Sequence, residues 1–291
     1  MNELPAPRSL LYVPAHDERK VAGAAHRGAD AIILDLEDSV PAGSKESARA
    51  RLSESVRSVR ARGARVIVRA NSPWSLAWRD LEAAVAAGAD GVLLTKVETA
   101  GAVEVTHAFL RELAANLRAD VPDLLVTIET AAGLESVSSI AVALAAARAD
   151  DPDRRTALIP GNEDLSLGLN VAPATDVMLG AIWPLIRAAR AHGHALFGSI
   201  GSGSEYRDLD AYRHRVQLGR AHGFDGVTCI HPAQIEVVHD VYRPTDATVA
   251  WADRVVNAFE AGDGEAVGVD GRMVDRPVYL RAKRLLQEAQ R

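Results

Sequence analysis

Eight short apolar runs recur along the chain, and they constrain its fold more than any other feature. They begin at residues 10, 31, 66, 91, 124, 156, 194 and 226, so that 21 to 38 residues separate one start from the next. Each interval can hold one crossover helix, and unbroken apolar runs are typical of parallel strands buried on both faces. The pattern predicts an α/β fold, a (β/α)8 TIM barrel, over residues 1–240.

A weak internal repeat and a long tail complete this organisation. Gly28, Gly88 and Gly223 each begin a Gly-x-Asp-small pattern that leads into an apolar run. Such a glycine can end a helix in the left-handed conformation before the next strand. Residues 241–291 come after the end of the barrel pattern. Their sequence predicts a C-terminal extension with helices at 246–261 and about 277–289. This extension either packs beneath the barrel or reaches over an active site.

Composition narrows the class of protein. The 33 basic and 39 acidic residues give a formal charge of −6, which argues against nucleic-acid binding and favours small molecules or other subunits as partners. Cys229 is the single cysteine, so no internal disulfide forms, and its apolar surroundings predict a buried, inert thiol. The first residues lack the pattern of a secretory signal, and no uncharged apolar run reaches about 18 residues. We therefore expect no membrane span and a cytoplasmic location.

Polar residues follow most of the apolar runs. In an α/β barrel the substrate binds at the carboxyl ends of the strands, where these residues would meet. The candidates are Glu37, Asp38, Arg69, Lys96, Glu129, Glu163, Asp164 and His231. The carboxylates form a hard-oxygen set that suits Mg²⁺ or Mn²⁺. Alternatively, Glu129 and Asp164 cap or begin the helices that follow them.

The roles of the other candidates stay open at this point. Arg69 could bind a substrate carboxylate or could form a structural ion pair with Glu37 or Asp38. Lys96 has the same two possibilities, a substrate contact or a structural salt bridge. His231 is more often a hydrogen-bonded residue at a strand end than a catalytic base.

Several blocks of the sequence resemble the citrate lyase beta-subunit-like family of the HpcH/HpaI aldolase superfamily. The blocks, in order, are RSLLYVPAHDERKVAGAAHRGADAIILDLEDSVPAGSKESAR, VRAN, GVLLTKVET, TIETAAGL, LIPGNEDLSLGL, GFDGVTCIHPAQIEVVHDVYRPT and GVDGRMVDRPVYLRAKRLL. The resemblance runs nearly end to end. This family includes citryl-CoA, malyl-CoA and citramalyl-CoA lyases.

The resemblance implies roles for particular residues. The Glu of IET and the Asp of EDL are the magnesium ligands of the family, which implies Glu129 and Asp164. The Arg of VRAN contacts the substrate carboxylate, which implies Arg69. Glu37 and Asp38 would stand beside the waters around the metal. For Asp35, the alternation of the strand next to Leu36 predicts a structural hydrogen-bonding role instead. In the CoA-thioester lyases, an aspartate of the C-terminal segment acts from a neighbouring subunit. This implies Asp275 and makes the extension a lid.

The implied enzyme is a Mg²⁺-dependent lyase, with Mn²⁺ as an alternative cofactor, and a homo-oligomer, either a trimer or a hexamer. It cleaves or forms a 3-hydroxy-3-carboxyacyl-CoA such as malyl-CoA or citramalyl-CoA, with acetyl-CoA and a 2-oxo acid as the other reactants. Alternatives are the citryl-CoA lyase beta subunit of a citrate lyase complex, a malate synthase-like or thioesterase-like enzyme, and a regulatory barrel that binds acyl-CoA. The Gly- and Ser-rich residues 198–204 depart from the family pattern and leave the choice of acid group open.

Overall fold

A barrel of eight parallel strands forms the larger part of the molecule. The computed structural model describes residues 6–290 except 150, 152, 205, 263 and 264, so the extreme ends of the two predicted domains lie outside it. Each of the eight apolar runs forms a strand, as predicted: β1 Ser9–Pro14, β2 Ala31–Asp35, β3 Arg65–Arg69, β4 Gly91–Leu94, β5 Asp123–Ile128, β6 Thr156–Pro160, β7 Ala195–Leu196 and β8 Val227–Cys229.

The strands form a ring in chain order. Each strand from β1 to β6 pairs in parallel with the next strand along the chain, and β1 also pairs with β8. The ring closes between β7 and β8, where Phe197 and Gly226 form a parallel bridge and Gly198 N donates to Gly226 O at 3.0 Å. The prediction of a (β/α)8 TIM barrel is therefore confirmed.

Helices follow the strands around the barrel. Their bounds are α1 Glu18–Ala24, α2 Lys45–Ala50, α3 Leu52–Arg60, α4 Trp74–Ala87, α5 Ala100–Leu117, α6 Ala131–Glu135, α7 Val137–Ala149, α8 Asn162–Gly168, α9 Thr175–His192, α10 Leu209–Ala221 and α11 Ala233–Tyr242. Among the described residues, no helix combines the length and the apolar character needed to cross a membrane.

The inside of the barrel is filled by apolar side chains from its strands. The central cluster consists of Leu10, Ala31, Ile33, Ile67, Leu93, Leu125, Ala157, Ile159 and Phe197. Because side chains alternate along a strand, the neighbours of these residues face the surrounding helices, and Ile32 and Leu34 are buried there. The residue two positions beyond each inward side chain also points inward, one layer closer to the carboxyl end.

The Gly-x-Asp repeat holds the amino ends of the strands in register. Gly28, Gly88 and Gly223 all adopt the left-handed conformation that the sequence predicts, with φ of 74°, 72° and 92°. Each aspartate accepts a hydrogen bond from the backbone N–H near the start of the preceding strand: Asp30 from Arg8, Asp90 from Val66 and Asp225 from Leu196, at 2.7, 2.7 and 2.8 Å. An arginine pairs with each aspartate as well. The repeat is therefore structural.

The residue contacts divide the chain into two compact units, Ala6–Val238 with the barrel and His239–Arg291. The second unit contains α12 Asp246–Ala261, a hairpin of β9 Val267–Val269 and β10 Arg272–Val274, and α13 Arg276–Ala289. Its core includes Phe259, whose ring stacks on that of Tyr279 with 4.6 Å between centroids. Both helices of the predicted extension are thus present, α12 with the predicted bounds. The lid role of this unit stays a prediction.

Candidate active site

A buried ion pair lies at the carboxyl ends of β2 and β3. Asp35 and Arg69 stand two residues beyond the inward-facing Ile33 and Ile67, so strand alternation points them into the barrel mouth. Arg69 Nε donates to Asp35 Oδ1 at 2.7 Å, and Nη2 donates to Oδ2 at 2.6 Å. Burial raises the pKa of Asp35, but the hydrogen bonds and charge of Arg69 outweigh burial and lower it overall. Asp35 is the structural acceptor that the sequence predicts.

The third guanidinium nitrogen of Arg69, Nη1, faces the acidic rim. Its Nη1 lies 3.1 Å from Glu37 Oε2, and its guanidinium carbon lies 4.9 Å from the centroid of the Tyr12 ring. The ion pair with Glu37 that the sequence left as an alternative is therefore present, and Arg69 also pairs with Asp35, which that alternative did not include. The substrate contact of Arg69 stays a prediction.

Lys96 connects four of the predicted acids. Its backbone adopts a left-handed conformation, with φ of 53°, that L-residues with side chains rarely adopt. In this conformation the Lys96 N–H donates to Glu129 Oε1 at 2.7 Å. The Lys96 Nζ lies 3.1 Å from Glu37 Oε1, 4.0 Å from Asp38 Oδ1 and 3.9 Å from Asp164 Oδ2. Four of the five carboxylates that the sequence predicts at one rim therefore lie around this residue.

Glu129 is buried beside a space that only glycine provides. A Cβ atom on Gly161 would lie 2.3 Å from Glu129 Cβ and 2.7 Å from its Oε2. Burial, together with the charges of Glu37 and Asp164, raises the pKa of Glu129 to about 7, although the hydrogen bond from the Lys96 N–H opposes this rise. A carboxylate in this position therefore favours a nearby cation.

The helix-capping alternative fails for Glu129. Thr130, the next residue, caps α6, and its side chain accepts the hydrogen bond from Gly133 N. Asp164 does lie in the first turn of α8, but the N-cap position of that helix is Gly161 and no side chain caps it. The Glu129 carboxylate is thus directed toward the barrel mouth instead of its own helix.

Glu163 and the Gly- and Ser-rich segment 198–204 contact each other. The Ser202 hydroxyl donates to Glu163 Oε1, which draws this carboxylate toward the segment. The Asn162 amide donates to Ser199 O at 2.8 Å and to Gly201 O at 2.9 Å. The segment that departs from the family pattern is therefore held by the two residues that precede Asp164.

Three other predicted residues make local contacts, and the catalytic role of Asp275 stays a prediction. His231 stacks on Tyr206 with 4.8 Å between ring centroids, and its Nδ1 accepts from Ala233 N at 3.2 Å. Cys229 is fully buried, and burial raises the pKa of its thiol to about 12, which agrees with the predicted inert thiol. In the C-terminal unit, Asp275 caps α13, and its Oδ1 accepts from Val278 N at 3.2 Å.

A polar network that was not predicted from the sequence lies beside the acidic rim. Arg49, Asp80, Asn71 and Lys45 are linked by hydrogen bonds in that order, and Lys45 contacts the backbone of the rim segment itself. Three of these residues lie inside the sequence blocks quoted above: Lys45, Arg49 and Asn71. Their polar side chains in those blocks were the signal from which the network could have been predicted.

The donor set fits a hard divalent cation. Among the residues that the structure describes, no three His, Cys, Asp or Glu side chains are grouped so that they hold a metal by themselves. Mg²⁺ commonly takes only one or two protein carboxylates and completes its shell with water and substrate. Glu129 and Asp164 offer two such carboxylates, and Gly161 leaves room for the first of them.

Comparisons with known proteins show which family the chain resembles along almost its whole length. The model of the HpcH/HpaI aldolase/citrate lyase family matches residues 8–232. The chain is 34% identical to a (3S)-malyl-CoA thioesterase of Cereibacter sphaeroides over 97% of this chain and 94% of that protein. It is 35% identical to the citrate lyase subunit beta of Escherichia coli K12 over 97% and 93%. The structure of CitE from Mycobacterium tuberculosis with magnesium, acetoacetate and coenzyme A covers 98% of this chain and 99% of that one, at 31% identity and a TM-score of 0.74.

Proposed function

Because the chain belongs to the HpcH/HpaI aldolase/citrate lyase family, whose members include lyases, we propose that it is a Mg²⁺-dependent carbon–carbon lyase of CoA thioesters. The proposed substrate is a 3-hydroxy-3-carboxyacyl-CoA such as malyl-CoA or citramalyl-CoA, which is cleaved to or formed from acetyl-CoA and a 2-oxo acid. The observation that carries the proposal is the convergence of Glu37, Glu129 and Asp164 on Lys96 at the barrel mouth.

Glu129 and Asp164 are the residues that would hold the cation, and the magnesium in the structure of CitE supports Mg²⁺ as its identity. When bound, Mg²⁺ supplies Lewis-acid polarisation of the substrate hydroxyl and carboxylate oxygens. Glu37 and Asp38 would bind the waters around it. Mn²⁺, which prefers the same oxygen ligands, is an alternative cofactor.

The remaining residues would bind the substrate and move protons. Arg69 Nη1 and Lys96 Nζ are cationic groups at the rim, so they would contact the carboxylate of the oxo acid. In cleavage, the bond between the thioester α-carbon and the carbinol carbon breaks, and the hydroxyl passes its proton to water as the carbonyl group of the 2-oxo acid forms. The electron pair stays on the acetyl-CoA portion as an enolate, which takes a proton from an acid. Asp275, supplied by a neighbouring subunit, is the proposed acid.

This assignment makes the protein a homo-oligomer, a trimer or a hexamer, and we place it in the cytoplasm with its CoA thioesters. Two related activities stay as second candidates because particular relatives favour them. The thioesterase of C. sphaeroides favours hydrolysis of the thioester, and the E. coli subunit favours a role as the beta subunit of a citrate lyase complex.

The test is to incubate the purified protein with Mg²⁺ and, separately, with malyl-CoA, citramalyl-CoA and citryl-CoA. Glyoxylate, pyruvate or oxaloacetate, respectively, would be measured together with acetyl-CoA and free CoA thiol. We expect an oxo acid and acetyl-CoA in equal amounts, and chelation of Mg²⁺ should stop the reaction.

Other products would separate the candidates. Free CoA without an oxo acid would identify a hydrolase. Activity only after addition of other citrate lyase subunits would identify a complex-bound beta subunit. No product from any thioester, with or without those subunits, would refute the proposed function.

A further inference from the structure

Lys45 lies beside the backbone of the acidic rim segment, on the first turn of α2. Its Nζ donates to three acceptors: Leu36 O at 2.9 Å, Glu37 O at 2.9 Å and Asn71 Oδ1 at 2.6 Å. An ammonium has three N–H donors, so these contacts use all of them. Lys45 therefore holds two successive peptide carbonyls at the point where β2 delivers Glu37 and Asp38.

Asn71 connects Lys45 to a fully buried carboxylate. The Asn71 amide nitrogen donates both to Leu36 O at 3.0 Å and to Asp80 Oδ2 at 2.6 Å, and its backbone N–H donates to the same Asp80 oxygen at 2.9 Å. Asp80 has no exposed surface. Arg49 completes the network, because its Nε donates to Asp80 Oδ1 at 2.8 Å.

This network restricts the direction of the rim acids. Fixing the carbonyls of Leu36 and Glu37 fixes the peptide planes on both sides of Glu37, and hence the direction in which its side chain leaves the backbone. Glu37 then reaches Lys96 at 3.1 Å. Buried polar groups that are linked by several hydrogen bonds have few alternative arrangements, so the network can hold this geometry.

We propose that Lys45 and Asn71 are positioning residues for the metal site, and that they act through the backbone of residues 36–37 to hold Glu37 and Asp38 toward the cation. This inference rests on the proposed function, since it assumes a divalent cation at Glu129 and Asp164. It predicts that loss of the Lys45 ammonium weakens cation binding even though Lys45 touches none of the proposed ligands.

The experiment measures binding of Mn²⁺ to the full chain by water proton relaxation, with Mg²⁺ as the competing ion and without substrate. For Lys45→Met we expect binding of both ions to weaken by about 10-fold, the lower end of the effect of residues that support metal ligands. Lys45→Arg, which keeps charge and donors, should recover most of the affinity. Asn71→Ala provides a second variant with the same expected loss, in case Lys45→Met does not fold.

Lys20→Met is the matched control, because Lys20 has an exposed side chain and pairs with a carboxylate, Asp17, at 3.5 Å. It should bind Mn²⁺ as wild type does. Thermal unfolding of each variant, measured without metal, separates positioning from general stability. Folded Lys45→Met and Asn71→Ala proteins with wild-type affinity would overturn this inference alone. Wild-type protein that binds neither ion would overturn the proposed function together with the inference.

Discussion

Substitution of Gly161 by alanine tests the metal site with the smallest possible change. Gly161 has φ of −89° and ψ of 78°, so its negative φ does not demand glycine. The conflict is one of space, because the new Cβ would lie 2.3 Å from Glu129 Cβ, whereas ordinary contacts begin at 3.4 Å. Rotation of the Glu129 side chain cannot move its own Cβ. The backbone of β5 or the start of α8 must therefore shift by about 1 Å, and overpacking of this kind costs about 1–3 kcal/mol.

A shift of this size matters more to a metal than to the fold. Mg²⁺ requires ligand distances close to 2.0–2.1 Å, with a tolerance of about 0.2 Å. We expect Gly161→Ala to stay folded, to bind Mg²⁺ at least about 10-fold more weakly, and to lose turnover by about 100-fold. Calorimetric titration with Mg²⁺ measures the first effect, and the thioester cleavage assay measures the second.

Gly168→Ala, at the last residue of the helix that Gly161 precedes, is the control. A Cβ there would meet nothing within 4 Å, and alanine favours a helix, so affinity and turnover should stay at wild-type values. If folded Gly161→Ala binds Mg²⁺ as tightly as Gly168→Ala, Gly161 does not make room for a metal ligand and the assignment of Glu129 is wrong.

Three further predictions concern other parts of the molecule. Burial lowers the pKa of His194 to about 4 in the folded protein, whereas a histidine in the unfolded chain titrates near 6.5. As the pH falls, the unfolded chain therefore binds a proton before the folded protein does. The contribution of His194 to the free energy of unfolding is complete above pH 6.5, and about 3 kcal/mol of it is lost as the pH drops through 4. Urea unfolding of wild type and of His194→Gln at a series of pH values from 4 to 7 measures this loss. The same change of the free energy of unfolding with pH in both proteins would contradict the prediction. Arg69→Lys cannot make both hydrogen bonds to Asp35, so the free energy of unfolding should fall by about 2 kcal/mol in urea titrations, and an unchanged value would show the pair to be dispensable. Asp275→Asn should lose at least about 100-fold in turnover but keep Mg²⁺ affinity and stability, because asparagine caps a helix equally well; full activity would remove Asp275 from the mechanism.

Much of the fold could be predicted from local patterns. The eight apolar runs predicted all eight strands because a strand that is buried on both faces must consist mainly of apolar residues such as Val, Ile, Leu and Ala. The Gly-x-Asp repeat marked helix ends because glycine adopts the left-handed backbone conformation with less steric strain than any other residue. The two C-terminal helices, including the bounds of α12, could be predicted for the same local reasons. The carboxyl ends of the strands then defined the rim on which the candidate acids meet.

Contacts between distant residues decided what the local patterns left open. Asp35 and Arg69 are 34 positions apart, and Lys96 and Glu37 are 59 apart, so no periodicity in the sequence says which acid takes which cation. The barrel register set these pairs: it made Asp35 the partner of Arg69 and left Glu37 facing Lys96.

The sequence by itself determined the barrel, the rim and the types of side chain on it, because these depend on burial and on positions near in the chain. Only the tertiary structure decided that Lys96 takes a left-handed backbone to reach Glu129, that Gly161 is needed for space, and that Lys45 and Asn71 hold the rim from behind. The physical reason is that hydrogen bonds and close contacts depend on distances of a few tenths of an ångström. Those distances exist only once the strands have closed into the ring.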